Sequence, residues 1–187
     1  MTDLGTSTVD RLLDQLAAPA PGPAGASAAA LAAAMAASLV EMVARGTAEW
    51  DEAGRVADRA GELRARLVEL AEEDTDAVAR VLELFRGPKP APADDLALGL
   101  VAASRPPLEI AGAAAEVASL ARAAADEGKR VMRADATVAA LLASAATRSA
   151  ATVVETNLSA IPGGGAANER AELSERAADA LALAAET

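Results

Sequence analysis

The chain has 187 residues, no cysteine, no histidine and a formal net charge of −11. Those counts exclude disulfides, thiolate chemistry and histidine-based proton transfer or zinc ligation, and they make nucleic acid a poor partner. The chain is 52% hydrophobic, much of it Ala, with one Phe, one Trp and no Tyr. Strong helix formers dominate and strand-favouring aromatics are nearly absent, which predicts an all-α protein.

Taken in order, Ser7-Thr8-Val9-Asp10 reads as a capping box opening a short helix to about Ala17. A Pro/Gly elbow, Pro21 to Ser27, follows. It leads into an Ala-rich helix from about Ala28 to Arg45, with Ser27 as its expected cap and Gly46 as its end. A Gly-bearing elbow also leaves bare backbone N–H groups at a helix N-terminus, which suits an anion. No charge occurs from Gln15 to Val40, but Pro19, Pro21 and Pro23 break that window. The remaining helix falls short of the roughly 20 apolar residues a membrane span needs, so a core helix and no membrane partner are expected.

A long helix is predicted from about Glu52 to Phe85, and Gly87 to Asp95 reads as a loop. A short helix should run to about Ala103, Pro106-Pro107 should reset the chain, and a further helix should reach about Glu127. Beyond the polar stretch at Asp126 to Arg133, another long helix is expected from about Ala134 to Ala160. Pro162 to Gly165 reads as a hinge and Asn168 to Ala185 as the last helix. Short links between long helices predict one domain, residues 1–187, folded as an antiparallel bundle of six to seven helices. The opening residues lack a basic, then apolar, then cleavable pattern, so a cytoplasmic protein is expected.

Two carboxylates interrupt apolar stripes. Val56, Ala60, Leu63, Leu67, Leu70, Ala77, Val81 and Phe85 recur at helical spacing, and Asp74 falls in the gap. Val131, Val138, Leu142 and Ala145 predict a similar seam on the later helix, with Asp135 on it. Each could be a structural cap or half of an ion pair. Equally, a buried carboxyl with a raised pKa is what a site without histidine needs for proton transfer. Asn157, near the end of that helix, reads on spacing alone as a residue bonding nearby carbonyls.

Several segments resemble the formiminotetrahydrofolate cyclodeaminase and methenyltetrahydrofolate cyclohydrolase family. "LLDQLAAPAPGPAGASAAALAAAMAASLVEMVARGT" resembles its short helix, Pro/Gly elbow and Ala-rich helix. "EEDTDAVARVLELFRGPK", "RPPLEIAGAAAEV" and "EGKRVMRADATVAALLASAATRSAATVVETNLSAI" resemble its later segments, in order and over nearly the whole chain. The chain departs from the pattern in places. Ala24 and Ala26 flank Gly25 where the family has a glycine triplet, and Glu49 to Glu52 is acidic where the family is basic. Lys129, Ala134 and Val153 replace family Asn, Ser and Asn.

The resemblance implies an all-α homodimer that hydrolyses or cleaves a C–N bond of a one-carbon folate or a related cyclic amidine. It implies Asp74 and Asp135 as catalytic carboxylates, and Pro23, Gly25, Ser27 and Asn157 as ligand-binding residues; Lys129 and Arg130, at the polar junction, are expected to bind an anionic folate tail because they can offset the net charge of −11 near the pocket mouth. No metal and no cofactor are expected, a tetrahydrofolate derivative serving as substrate. The alternatives are a family member with a different small-molecule substrate in specialised metabolism, or a non-catalytic helical dimer that binds a ligand or partner.

Overall fold

The computed structural model describes residues 4–19, 22–86, 91–164 and 166–185. Six α-helices carry the fold: α1 (Val9–Ala17), α2 (Gly25–Arg45), α3 (Ala53–Arg86), α4 (Ala93–Glu127), α5 (Arg133–Ser159) and α6 (Ala167–Ala185). Short 3-10 turns at Arg130–Met132 and Pro162–Gly164 flank α5, and no strand occurs among the described residues. The expected helical bundle is therefore what forms. Pro21, part of the expected loop after α3, and Gly165 lie outside the described residues.

Helices α2 to α5 run alternately up and down, and α2 packs against α3, α4 and α5 at once. Its alanines make this possible. Ala30, Ala33, Ala36 and Ala37 are fully buried, and their small side chains let neighbouring backbones approach closely. Glu41 is also buried there, held by Arg45 at 2.6 Å and Arg64 at 3.2 Å. By length and composition α2 and α5 could each cross a membrane, but α2 is mostly enclosed by its neighbours, as a core helix is. Helix α6 covers one side of α4 and α5.

The stripe read on α3 is the buried one from Val56 through Leu70 to Ala77. It ends sooner than the spacing predicts, because Phe85 is 59% exposed. Three other expectations are corrected. First, α4 runs unbroken through Pro106 and Pro107. Each proline removes an N–H, so the carbonyls four residues earlier, on Ala102 and Ala103, lose their helical donors. Ala102 is exposed to water, while buried Ala103 takes another donor, described below. Second, α2 starts at Gly25, and Ala24 rather than Ser27 is its N-cap. Third, the buried face of α5 is Ala136, Ala139, Ala143, Ala146, Ala150 and Val154, not the stripe through Val131 and Val138. Val131 is 87% exposed and Asp135 only half-buried. In so Ala-rich a helix the core takes the alanines, so following the larger apolar residues selects the wrong face.

Candidate functional site

Asp74 is 1% exposed. It sits about six turns into α3, level with the start of α2. There Ser27 Oγ donates to Asp74 Oδ2 at 2.6 Å, and Thr75 Oγ1 lies 3.1 Å from the same Ser27 oxygen. Asp74 Oδ1 is buried with no hydrogen-bond partner. Burial pushes the Asp74 carboxyl pKa above its ordinary value, and hydrogen bonds from the Ser27 hydroxyl and backbone N–H hold it partly back. Ala24 gives α2 no side-chain cap. The carboxylate from α3 thus stands where a capping side chain would, beside the partial positive charge of the helix N-terminus. One oxygen serves that role and the other is unused.

Around this carboxyl the elbow is plain. Pro23 is buried and Gly25 exposed. A Cβ on Gly25 would meet only Val153 Cγ2, at an ordinary 3.8 Å. No described elbow residue has a positive φ, so Ala24 and Ala26 carry no backbone strain in place of glycine. Asn157 joins the same end of the bundle. Its Nδ2 donates at 3.2 Å to the Ala103 carbonyl, the acceptor that Pro107 leaves without a helical donor. The Asn bonds a carbonyl across the helix interface on α4, not one in its own helix. One turn beyond Asp74, a hollow of about 190 Å³ lies between α3 and α4, lined by Ala77, Arg80, Val81, Leu84, Gly99 and Ala103 among others. Gly99 makes room for it, since a Cβ there would lie 2.6 Å from Leu84 Cδ1.

The remaining expected residues are elsewhere. Lys129, Arg130 and Asp135 stand at the opposite end of the bundle. Asp135 and Asn157 share one helix and are 22 residues apart, about 33 Å at 1.5 Å per residue. Lys129 N donates to Thr47 Oγ1 at 3.1 Å, and its ammonium lies 3.9 Å from Glu49. Arg130 is exposed, and the Asp135 side chain makes no hydrogen bond or ion pair among the described residues. The chain therefore unites Pro23, Gly25, Ser27, Asp74 and Asn157, and keeps Lys129, Arg130 and Asp135 apart from them. Sequence reasoning missed Thr75 and the hollow with Arg80. The register of α3 carried a usable signal for the second, because Ala77 and Val81 continue the Asp74 face toward the end where the helix leaves the core.

These features define an all-helical bundle in which a deeply buried carboxylate, Asp74, lies against an uncapped helix N-terminus. The model of the formiminotransferase-cyclodeaminase family matches residues 8–176, and the chain belongs to that family. Its fold is similar to the crystal structure of a formiminotetrahydrofolate cyclodeaminase from Thermotoga maritima, with 23% identity, 98% of this chain and 92% of that chain covered, and a TM-score of 0.88. No curated protein sequence matches the chain.

Proposed function

We infer that this protein acts on a C–N bond of a one-carbon tetrahydrofolate, methenyl- or formimino-substituted, with Asp74 as a catalytic carboxylate. The observation that carries this reading is the state of Asp74, buried to 1% exposure with Oδ1 unpartnered beside the start of α2. A carboxyl kept there without a full set of partners opposes packing, and such a cost is typical of a group retained for use.

The chemistry suits it. A methenyl bridge is a delocalised N–C–N cation that a carboxylate in a water-poor setting stabilises. Water adds to the bridging carbon, its C–O bond forming as the C=N electrons return to nitrogen, and the proton it loses passes to the carboxylate. Breaking one C–N bond, with that proton delivered to the departing nitrogen, leaves a formyl group. In the deaminating reaction the folate's own N10 attacks the formimino carbon, and the imine nitrogen takes the proton that N10 loses and a second one from the carboxyl, leaving as ammonia and a methenyl cation. The raised pKa of Asp74 favours both holding and releasing the proton.

A second reading, a related cyclic amidine without an anionic tail, is favoured by one contact. Glu49 faces Lys129 at 3.9 Å and offsets the charge that a glutamate tail would seek. Spectroscopic turnover of 5,10-methenyltetrahydrofolate tests the first reading. The wild type should consume it well above the buffer rate and Asp74→Asn should not. Equal rates with and without the protein would reject it.

A further inference from the structure

Asp74 meets its surroundings through Oδ2, and behind that contact stands a second hydroxyl. Ser27 Oγ lies 2.6 Å from Asp74 Oδ2, and Thr75 Oγ1 lies 3.1 Å from Ser27 Oγ. Thr75 Oγ1 in turn donates to the Ala71 carbonyl at 2.9 Å. Three oxygen–oxygen contacts thus run in series from the carboxyl to the backbone of α3. Ser27, in the middle of the series, is fully buried, and Thr75 at its end is half-buried.

Counting hydrogens shows what the series does. A hydroxyl has one hydrogen to give and can also accept, while a carboxylate only accepts. With Asp74 ionised, Ser27 donates to Oδ2 and Thr75 donates to Ala71, so no hydrogen lies between the two hydroxyl oxygens. With Asp74 neutral, Oδ2–H donates to Ser27 Oγ, the Ser27 hydrogen turns to Thr75 Oγ1, and Thr75 keeps its bond to Ala71. Every contact in the series is then a hydrogen bond. The change needs one hydroxyl rotation and moves no heavy atom. Away from water, a completed chain of this kind is stronger than its separate bonds. Charged groups of the surrounding elements do not compete with it. Helix α2 has no charged residue from Gly25 to Val40. Arg105 on α4, Arg148 and Glu155 on α5, and the charged residues of α1 are exposed. Arg66 holds Glu73 and Glu109, and Glu72 accepts from the Leu4 backbone N–H. On α3 itself Asp76 and Arg80 are exposed.

We propose that Thr75 is a positioning residue for Asp74: it accepts from the Ser27 hydroxyl once the carboxyl is neutral, and so completes an Asp74–Ser27–Thr75 relay that favours the protonated acid. The proposal rests on the reading of Asp74 as the catalytic carboxylate and adds what sets its protonation. Burial acts in the same direction. The proton stays on the carboxyl throughout. Thr75 acts through Ser27 and does not itself take the proton.

The test follows Asp74 directly, by the pH titration of its carboxyl-carbon NMR resonance, with Asp74→Asn identifying the signal. Thr75→Val keeps the side-chain shape and removes the oxygen, Thr75→Ala does the same with less bulk should valine disturb the packing, and Thr75→Ser keeps the oxygen. The Val and Ala variants should titrate about half to one pH unit below the wild type, the worth of one neutral hydrogen bond, and Thr75→Ser should stay with the wild type. An unmoved midpoint would overturn the proposal. So would a raised one, because Thr75 would then be donating to Ser27 and supporting the carboxylate. In turnover of 5,10-methenyltetrahydrofolate, where ionised Asp74 takes the proton, the acidic limb of the pH profile should move down with the resonance. A limb that stays while the resonance moves would overturn Thr75 as a residue of the reaction. Absence of turnover by the wild type counts against the folate reading alone, and the resonance still decides the relay.

Discussion

Asp74 is held at a cost that depends on pH. Its folded-state pKa is raised by burial, so between the unfolded carboxyl value of about 3.9 and the folded value the native protein binds more protons than the unfolded chain. Stability therefore falls as pH rises through that window, and the penalty is fully present above it. Asp74→Asn, which keeps an oxygen for Ser27, should lose this part of the slope when unfolding is followed by urea titration at several pH values. An unchanged slope would mean that the carboxyl is not the source. Asn157 makes the opposite kind of contribution. Asn157→Ala strands the buried Ala103 carbonyl and should cost about 1–3 kcal/mol. A loss below a few tenths would show that water replaces the amide.

At the scale of the helix, the link between Pro107 and Asn157 explains why α4 continues where its own sequence predicts a break. Two adjacent prolines ordinarily end a helix, and local rules give no way to see that a side chain 50 residues later supplies the missing donor. Pro107→Ala restores the N–H, so Asn157→Ala should cost roughly 1 kcal/mol less in that background than in the wild type. A double-mutant cycle without coupling would separate the two features. Helix α3 was legible because its stripe uses Leu and Val against charged neighbours, and Asp74 stood out on it. Helix α5 was not, since its core face is alanine and its larger residues point outward. Asp135 accordingly lies half-buried at the side of that face and not within it. The elbow was legible as a break but not as a cap, because Ser27 is turned toward a residue 47 positions away.

Over the whole molecule, the chain belongs to the formiminotransferase-cyclodeaminase family and folds as its members' helical bundle. The order of segments along nearly the full length made that readable without coordinates. What the sequence left invisible was distance: it placed two carboxylates in one site, and the fold puts them at opposite ends of the bundle. The central claim is that Asp74 is kept for a ligand and not for stability. The measurement that tests it most directly is the melting temperature of wild type and Asp74→Asn near neutral pH, with and without 5-formyltetrahydrofolate. At a hundredfold excess over Kd, binding should raise the wild-type value by about 5–10 °C. Asp74→Asn should melt at or above the unliganded wild type and show no rise. A wild type unmoved by the ligand, or an Asp74→Asn protein that melts far below it, would contradict the account.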